Sequence, residues 1–272
     1  MIKKMLAKII FNFFQTFIKL LAVRSKKDAI LMNKIINVAN FHIGRGFSGP
    51  DTLEIEVKSL LSFFNKDDQL IVIDGGAHHG NYTNLFKKNF PNATIHCFEP
   101  SNTNFEILES KFRSDSSINV YNFGISNMNS IGELFYEKDG SSMSSLYKRK
   151  LDHFDLNFDK SQQVKLVDLE SFSKKNFKNL NIDLLKIDIE GNELLALEGC
   201  GELIKNIKVV QFEFGGCNID SKTYFQDFWY YFKENNFSIH RLTPHRLLEI
   251  NDYSEIEEYF KTTIFYAKNN SF

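Results

Sequence analysis

Several patterns are missing from this 272-residue chain, and each absence closes a class of explanation. The three cysteines, Cys97, Cys200 and Cys217, are odd in number and without CxxC spacing. They indicate neither a disulfide framework nor a zinc site, and a reducing cytoplasm suits them best. No uninterrupted apolar run is long enough to span a bilayer, and no small-residue cleavage site follows the first apolar segment, so export is not expected. The GxGxxG of a dinucleotide phosphate loop is missing. There is no internal repeat and no low-complexity tract. The main part of the chain has no basic stripe with interleaved aromatics, which counts against a nucleic-acid partner. What remains, 43% apolar and 25% charged residues with 28 phenylalanines, is an ordinary globular composition with enough bulk for a substantial core.

Acid is nearly missing from one end. Residues 1–50 hold nine Lys or Arg and the single acid Asp28, a net +8 that leaves −9 for the rest. That asymmetry marks an extension, 1–50, ahead of a main domain, 51–272. In MIKKMLAKIIFNFFQTFIKLLAV, Leu6, Ile9, Ile10, Phe13, Phe14, Phe17, Leu20 and Leu21 recur at three- and four-residue steps, with Lys4, Lys8, Asn12, Gln15 and Lys19 opposite. The pattern predicts an amphipathic helix. Residues 3–21 then fit either of two partners: an anionic membrane surface, or protein, whether their own domain or a dimer partner. Most apolar helical stripes face protein. GRGFSGP, with Gly44, Gly46, Gly49 and Pro50, breaks the helix before the main domain.

From residue 70 short β-rich runs alternate with helical ones. LIVID at 70–74, TIHCFEP at 94–100 and SINVYNF at 117–123 form a first half. DLLKIDIEG at 183–191 and KVVQFEFG at 208–215 belong to a second. This alternation predicts an α/β fold, a mostly parallel sheet with helices on both faces. Between the halves runs a hairpin edge and a long excursion rich in serine and lysine, the kind of loop that is usually functional. The C-terminal runs FSIHRL, LLEI and TTIFYAK predict strands that finish the sheet with an antiparallel insertion.

The first turn carries the chemistry. A strand ending in Asp74 runs into Gly75, Gly76, Ala77 and then Gly80, small residues where backbone turns sharply and approaches a ligand. An acid just before the turn would repel a pyrophosphate. It suits the sulfonium and ammonium groups of S-adenosylmethionine. Glu99 ends the next strand, where such folds place an acid that accepts the two ribose hydroxyls. A nicotinamide-dependent oxidoreductase also places an acid there and stands as the rival reading. A non-catalytic partner in a glycan-assembly complex is another.

A second group of acids follows. LLKIDIEGNE puts Asp188 and Glu190 on one side of a strand end, with Ile187 and Ile189 on the other, and Glu213 closes the next strand. Asp188 or Glu190 would orient or deprotonate an acceptor hydroxyl. A magnesium ion shared by Asp188, Glu190 and Glu213 is a variant rather than an expectation. The plainer alternative has one acid capping the next helix and another pairing with a surface lysine. His78 and His79, inside the glycine loop, are further candidate bases, pointing in different directions. Asp168, in VKLVDLESF, reads as a helix N-cap.

Taken in order, VIDGGAHHGNYT, CFEPSNTNFEILE, SSMSSL, VKLVDLESF, LLKIDIEGNELLALEGC, VVQFEFG and TTIFYAKN resemble the FkbM family of methyltransferases from about residue 70 to 268. The resemblance implies a Rossmann-like class I methyltransferase fold of seven strands, the last antiparallel. It implies S-adenosylmethionine as cofactor and methyl transfer to a hydroxyl, usually of a sugar or polyketide. It places Asp74, Gly76, Ala77, Gly80 and Tyr82 at the methionine end of the cofactor, Glu99 with adjacent Pro100 at its ribose, and Asp188 and Glu190 in the second signature. His78 stands where the family more often has asparagine. Bacterial members often sit among genes for surface polysaccharide, which implies a cytoplasmic enzyme, peripheral to the inner membrane where the basic helix binds lipid, acting on a nucleotide sugar or a lipid-linked glycan.

Overall fold

The computed structural model describes residues 2–20, 25–177 and 181–272. Two compact units emerge, Met1–Ile43 and Gly44–Phe272. The division lies a few residues ahead of the 50/51 boundary read from sequence because the glycine-rich stretch packs into the larger unit. Gly44, at φ +87°, lies against the backbone of Leu242, Phe47 is buried, and the Gly46 N–H donates to Thr263 Oγ1 at 2.9 Å.

The first unit holds helices α1 (Ile2–Leu20) and α2 (Lys26–His42). The Ser25 hydroxyl oxygen caps α2, accepting from the Asp28 N–H. Among the described residues, no helix is long and apolar enough to cross a membrane.

In the second unit, α3 (Leu53–Ser59) leads into β1 (Ile71–Gly75), α4 (Asn81–Asn89), β2 (Thr94–Phe98), α5 (Asn102–Phe112) and β3 (Ile118–Tyr121). A small sheet follows, β4 (Gly124–Ile125), β5 (Ser130–Tyr136) and β6 (Lys160–Val167), in the order β4-β6-β5. Then come α6 (Leu169–Asn176), β7 (Ile182–Ile187), α7 (Glu193–Glu198), β8 (Ile207–Phe214), α8 (Cys217–Ser221), α9 (Phe225–Glu234), β9 (Phe237–Leu242), β10 (Leu247–Ile250) and β11 (Thr263–Asn269).

The main sheet runs β10-β9-β11-β8-β7-β1-β2-β3. From β3 to β8 neighbouring strands are parallel, and β11 is antiparallel to both β8 and β9. The expected count of seven is corrected to eight, because LLEI folds back on β9 as an antiparallel edge strand.

Strand residues alternate between two cores, as a pleat requires. Ile73, Leu185, Ile187, Val210 and Phe212 face α6, α7 and α9 through Phe172, Ala196, Phe228 and Phe232. Val72, Leu184, Val209 and Tyr266 face α3, α4 and α5 through Val57, Phe86, Phe90 and Leu108. Phe212 stacks on Phe228 and Phe265 at 5.1 and 5.4 Å. With helices on both faces, ligands are left the crevice at the carboxyl ends of the strands, where β1 has β2 on one side and β7 on the other.

Candidate active site

At that crevice the glycine loop is built by close backbone contacts. Gly76, at φ +74°, has room only for hydrogen: a Cβ there would lie 2.0 Å from the Asp188 carbonyl oxygen. The N–H groups of Gly76 and Ala77 both donate to the Phe98 carbonyl, at 3.0 and 3.1 Å. The ends of β1, β2 and β7 are thereby locked together.

Glu99 is the fixed acid of the site. Its Oε2 accepts from the His78 N–H at 2.8 Å and its Oε1 from the Ser101 N–H at 2.9 Å. Asn122 holds the adjoining backbone by donating to the Glu99 and Pro100 carbonyls. Each carboxylate oxygen keeps a lone pair for a further donor. Burial raises the Glu99 carboxyl to about 7, against the pull of those backbone donors.

A narrow cleft opens beside it. Gly76, His78, Glu99, Pro100, Asn104, Asp188 and Glu190 supply its polar wall, and Phe98, Phe123, Ile125, Leu134 and Leu146 its apolar one. Ser141, Ser142 and Ser144, from the long excursion, complete the lining. Ser145 anchors that excursion, pairing with Phe135 of β5 and donating from Oγ to the Glu190 carbonyl at 2.6 Å.

Of the cofactor-contacting residues expected from sequence, Gly76, Glu99 and Pro100 line the cleft, whereas Asp74, Ala77, Gly80 and Tyr82 lie behind it. Asp74 is fully buried, taking the Thr83 hydroxyl at 2.6 Å and Lys186 Nζ at 3.0 Å. Gly80, at φ +70°, starts α4, and a Cβ there would meet the Phe112 ring at 2.3 Å. Tyr82 is buried with its hydroxyl donating to Gln211 Oε1 at 2.6 Å. These residues form the bed under the loop.

Lys186 is the residue that sequence reading missed. It stands opposite Asp74 in the β1–β7 register and reaches Asp74, the Gly75 and Gly76 carbonyls at 3.3 and 3.2 Å, and Asp188 Oδ2 at 3.8 Å. Burial works against its charge, but Asp74 and Asp188 outweigh it and hold the ammonium above its ordinary value. The available signal was a single lysine inside the apolar run DLLKI.

The second signature also rearranges. Strand alternation stops at Ile187, so Asp188, Ile189 and Glu190 all line the cleft instead of dividing between two faces. Glu190 adopts φ +54° and pairs with Arg149 Nη1 at 2.6 Å. Burial and the nearby Asp188 push its carboxyl upward, against the pull of Arg149. The loop itself is held by Glu193, whose carboxylate accepts from the N–H groups of Ile189 and Gly191 at 3.0 Å. Burial raises Glu193 to about 7. Asp188 thus stays with a side chain 41% exposed and Lys186 beside it.

Glu213 lies outside this cleft, in two adjoining spaces, one reaching Asp188 and one reaching Glu190. Burial lifts its carboxyl well above the ordinary range. Among the described residues no three His, Cys, Asp or Glu are placed to hold a metal ion, Asp188, Glu190 and Glu213 included.

The two histidines do not diverge: their rings stack at 3.8 Å. The cause is the positive φ of His78, +48°, which breaks the usual alternation of side chains. His78 lines the cleft and donates from Nε2 to the Gly140 carbonyl at 3.1 Å, leaving Nδ1 as an acceptor. Burial lowers its pKa, keeping the ring neutral near pH 7. His79 lies behind, at 3.1 Å from Asn104 Oδ1. Asp168 caps α6, as expected, by accepting from the Ser171 N–H at 2.8 Å.

A sequence profile of the methyltransferase FkbM domain matches residues 74–239, more than half of the chain, from the end of β1 into β9. The chain belongs to the FkbM methyltransferase family. It is an S-adenosylmethionine-dependent methyltransferase. The oxidoreductase and non-catalytic readings are thereby set aside.

Comparison with curated proteins gives no match. Among solved structures, a precorrin-6y C5,15-methyltransferase from Geobacter metallireducens is similar at 8% identity and TM-score 0.46, over 82% of this chain and 90% of that one. An S-adenosylmethionine-dependent O-methyltransferase from Thermotoga maritima is similar at 11% identity and TM-score 0.43, over 88% of this chain and 71% of that one. A putative methyltransferase from Streptococcus mutans in complex with S-adenosylhomocysteine is similar at 11% identity and TM-score 0.43, over 82% and 98%. The assignment rests on the family profile.

The residues present fit the cofactor. A carboxylate pinned by two backbone donors beside an apolar wall is the donor set that a ribose and its base require. Gly76 keeps that cradle open to backbone approach.

Proposed function

We propose that this FkbM methyltransferase methylates a hydroxyl oxygen of a sugar, in a nucleotide sugar or surface-polysaccharide precursor, and does so in a bacterial cytoplasm. S-adenosylmethionine, when bound, supplies an electrophilic methyl carbon. Glu99 accepts the two ribose hydroxyls with Pro100 beside it, and the apolar wall of Phe123, Ile125, Leu134 and Leu146 takes the base. Gly76 and the neutral His78 lie towards the methionine end. Ala77, Gly80 and Tyr82 hold this loop from behind, and Asp74 acts through Lys186 rather than by contact with the cofactor.

Asp188 receives the acceptor. A hydroxyl ionises far above neutrality, so its attack on the methyl carbon needs a positioned base and in-line geometry. The observation that carries this role is the contrast among the carboxylates: Glu99, Glu190 and Glu193 are each held by short bonds, while Asp188 reaches the cleft with only Lys186 at 3.8 Å as a charged partner. The hydroxyl proton would pass to Asp188 as the methyl carbon exchanges its bond to sulfur for the new O–CH₃ bond, leaving S-adenosylhomocysteine as the neutral thioether. Glu190, turned by Arg149, borders a further open cleft with Glu213, Lys150, Phe154 and Phe260 on its walls. Carboxylates that accept hydroxyl protons and an exposed aromatic face suit a sugar ring there.

Transfer of labelled methyl to a panel of nucleotide sugars and polysaccharide extracts tests the reading. Labelled sugar from the wild type and none from Asp188→Asn is the expected result. Labelling of a non-sugar acceptor alone would overturn the acceptor class, and unchanged turnover in Asp188→Asn would overturn its role.

A further inference from the structure

Unit Met1–Ile43 is unlike the rest of the chain in what it leaves in water. On α1 the helical period gathers Leu6, Ile10, Phe13, Phe14 and Phe17 on one broad face and Lys8, Asn12, Gln15 and Lys19 on the other. The apolar members are exposed, Phe13 at 76% and Ile10 at 64%. Helix α2 buries none of its residues, and Ile30, Leu31, Ile36 and Val38 are exposed as well. So large an apolar surface on so short a segment marks an interaction face.

Charge identifies the occupant. Residues 1–43 carry eight Lys or Arg and one acid, Asp28, which accepts the Ser25 hydroxyl at 2.8 Å in the first turn of α2. The polar face of α1 is therefore cationic or neutral throughout. A second copy would set one such unit against another of the same sign. An anionic bilayer satisfies both faces at once, taking the phenylalanines below its headgroups and the lysines among them. Lys8, Asn12, Gln15 and Lys19 keep the helix from spanning, in accord with the lack of any described helix long and apolar enough to cross.

We propose that α1 lies in the surface of an anionic bilayer and holds the methyltransferase unit there. This is an interaction separate from the acceptor reading and stands or falls independently of it.

Full-length protein mixed with vesicles of phosphatidylcholine, alone or with phosphatidylglycerol, and followed by flotation, tests the proposal. Expected is salt-sensitive binding to the vesicles containing phosphatidylglycerol and little to phosphatidylcholine alone. Phe13→Ser with Phe17→Ser lowers partitioning more than tenfold, and Lys8→Gln with Lys19→Gln lowers it on the order of tenfold. S-adenosylhomocysteine binding by both variants matches the wild type, which verifies that the second unit is intact. Failure to float with phosphatidylglycerol, or flotation untouched by either pair of substitutions, overturns the proposal. So does light scattering that finds a dimer dissociated by the phenylalanine substitutions, since a second copy would then be the occupant.

Discussion

Two carboxylates at neighbouring strand ends, Glu99 after β2 and Asp188 after β7, face the same cleft in opposite conditions. Glu99 is buried, with both oxygens fixed by backbone N–H groups. Asp188 is part exposed and touches only a lysine among charged groups, at 3.8 Å. A fully constrained acid is suited to holding a ligand in one pose, and a less constrained one to exchanging a proton with what it meets. The fold sets backbone donors at one strand end and a buried lysine at the other, a difference that matches the two roles proposed above.

The largest expected effect lies at the reactive end. Asp188→Asn keeps the size of the side chain and removes the proposed base, so kcat should fall by roughly 10²–10⁴, read by single-turnover transfer of labelled methyl. Next is the lysine behind it. Lys186→Met leaves Asp74 charged and fully buried, and breaking such a pair costs about 3–5 kcal/mol, to be measured by urea unfolding. Replacing Asp74 in the same protein, Asp74→Asn with Lys186→Met, should restore part of that loss.

Gly76→Ala strikes both ends together. The added methyl meets the Asp188 carbonyl at 2.0 Å at a φ of +74° that L-residues avoid, so stability should fall by at least about 1–2 kcal/mol and product-cofactor binding should weaken with it.

The smallest effect is a pH dependence. The Glu99 carboxyl near 7 is raised above its ordinary value, so its contribution to folding stability is complete below about 4.5 and fades as pH rises through 7. Ligand binding runs the other way. Only the ionised form accepts both ribose hydroxyls, and S-adenosylhomocysteine affinity should weaken by up to about tenfold between pH 8 and pH 6, as titration calorimetry would measure.

Much of this site was legible in sequence because it is local. Strand, glycine turn and helix follow one another within residues 72–86, Glu99 ends the next strand, and DIEGNE is contiguous. Hydropathy alternation likewise carried the sheet and its helical layers. What escaped depends on chain segments far apart. Asp74 was assigned to the ligand because an acid before the glycine turn suits a cationic group, and its partner Lys186 becomes adjacent only through the β1–β7 register. Glu193 carried no signal of its own, since its reach back to Ile189 and Gly191 exists only once the chain turns at Glu190 with positive φ. The stacked histidines have the same origin, since strand or helix periodicity does not hold through a left-handed residue. The run LLEI was legible as a strand, and the count of seven came from the family resemblance, which did not include this antiparallel edge strand.

Titration calorimetry of S-adenosylhomocysteine into Glu99→Gln and Asp188→Asn, side by side with the wild type, tests the division between holding and reacting most directly. Glu99→Gln should lose about ten- to a hundredfold in affinity, the worth of a hydrogen bond to a charged group, while Asp188→Asn binds as the wild type does. Equal losses in the two variants, or a loss confined to Asp188→Asn, would contradict it.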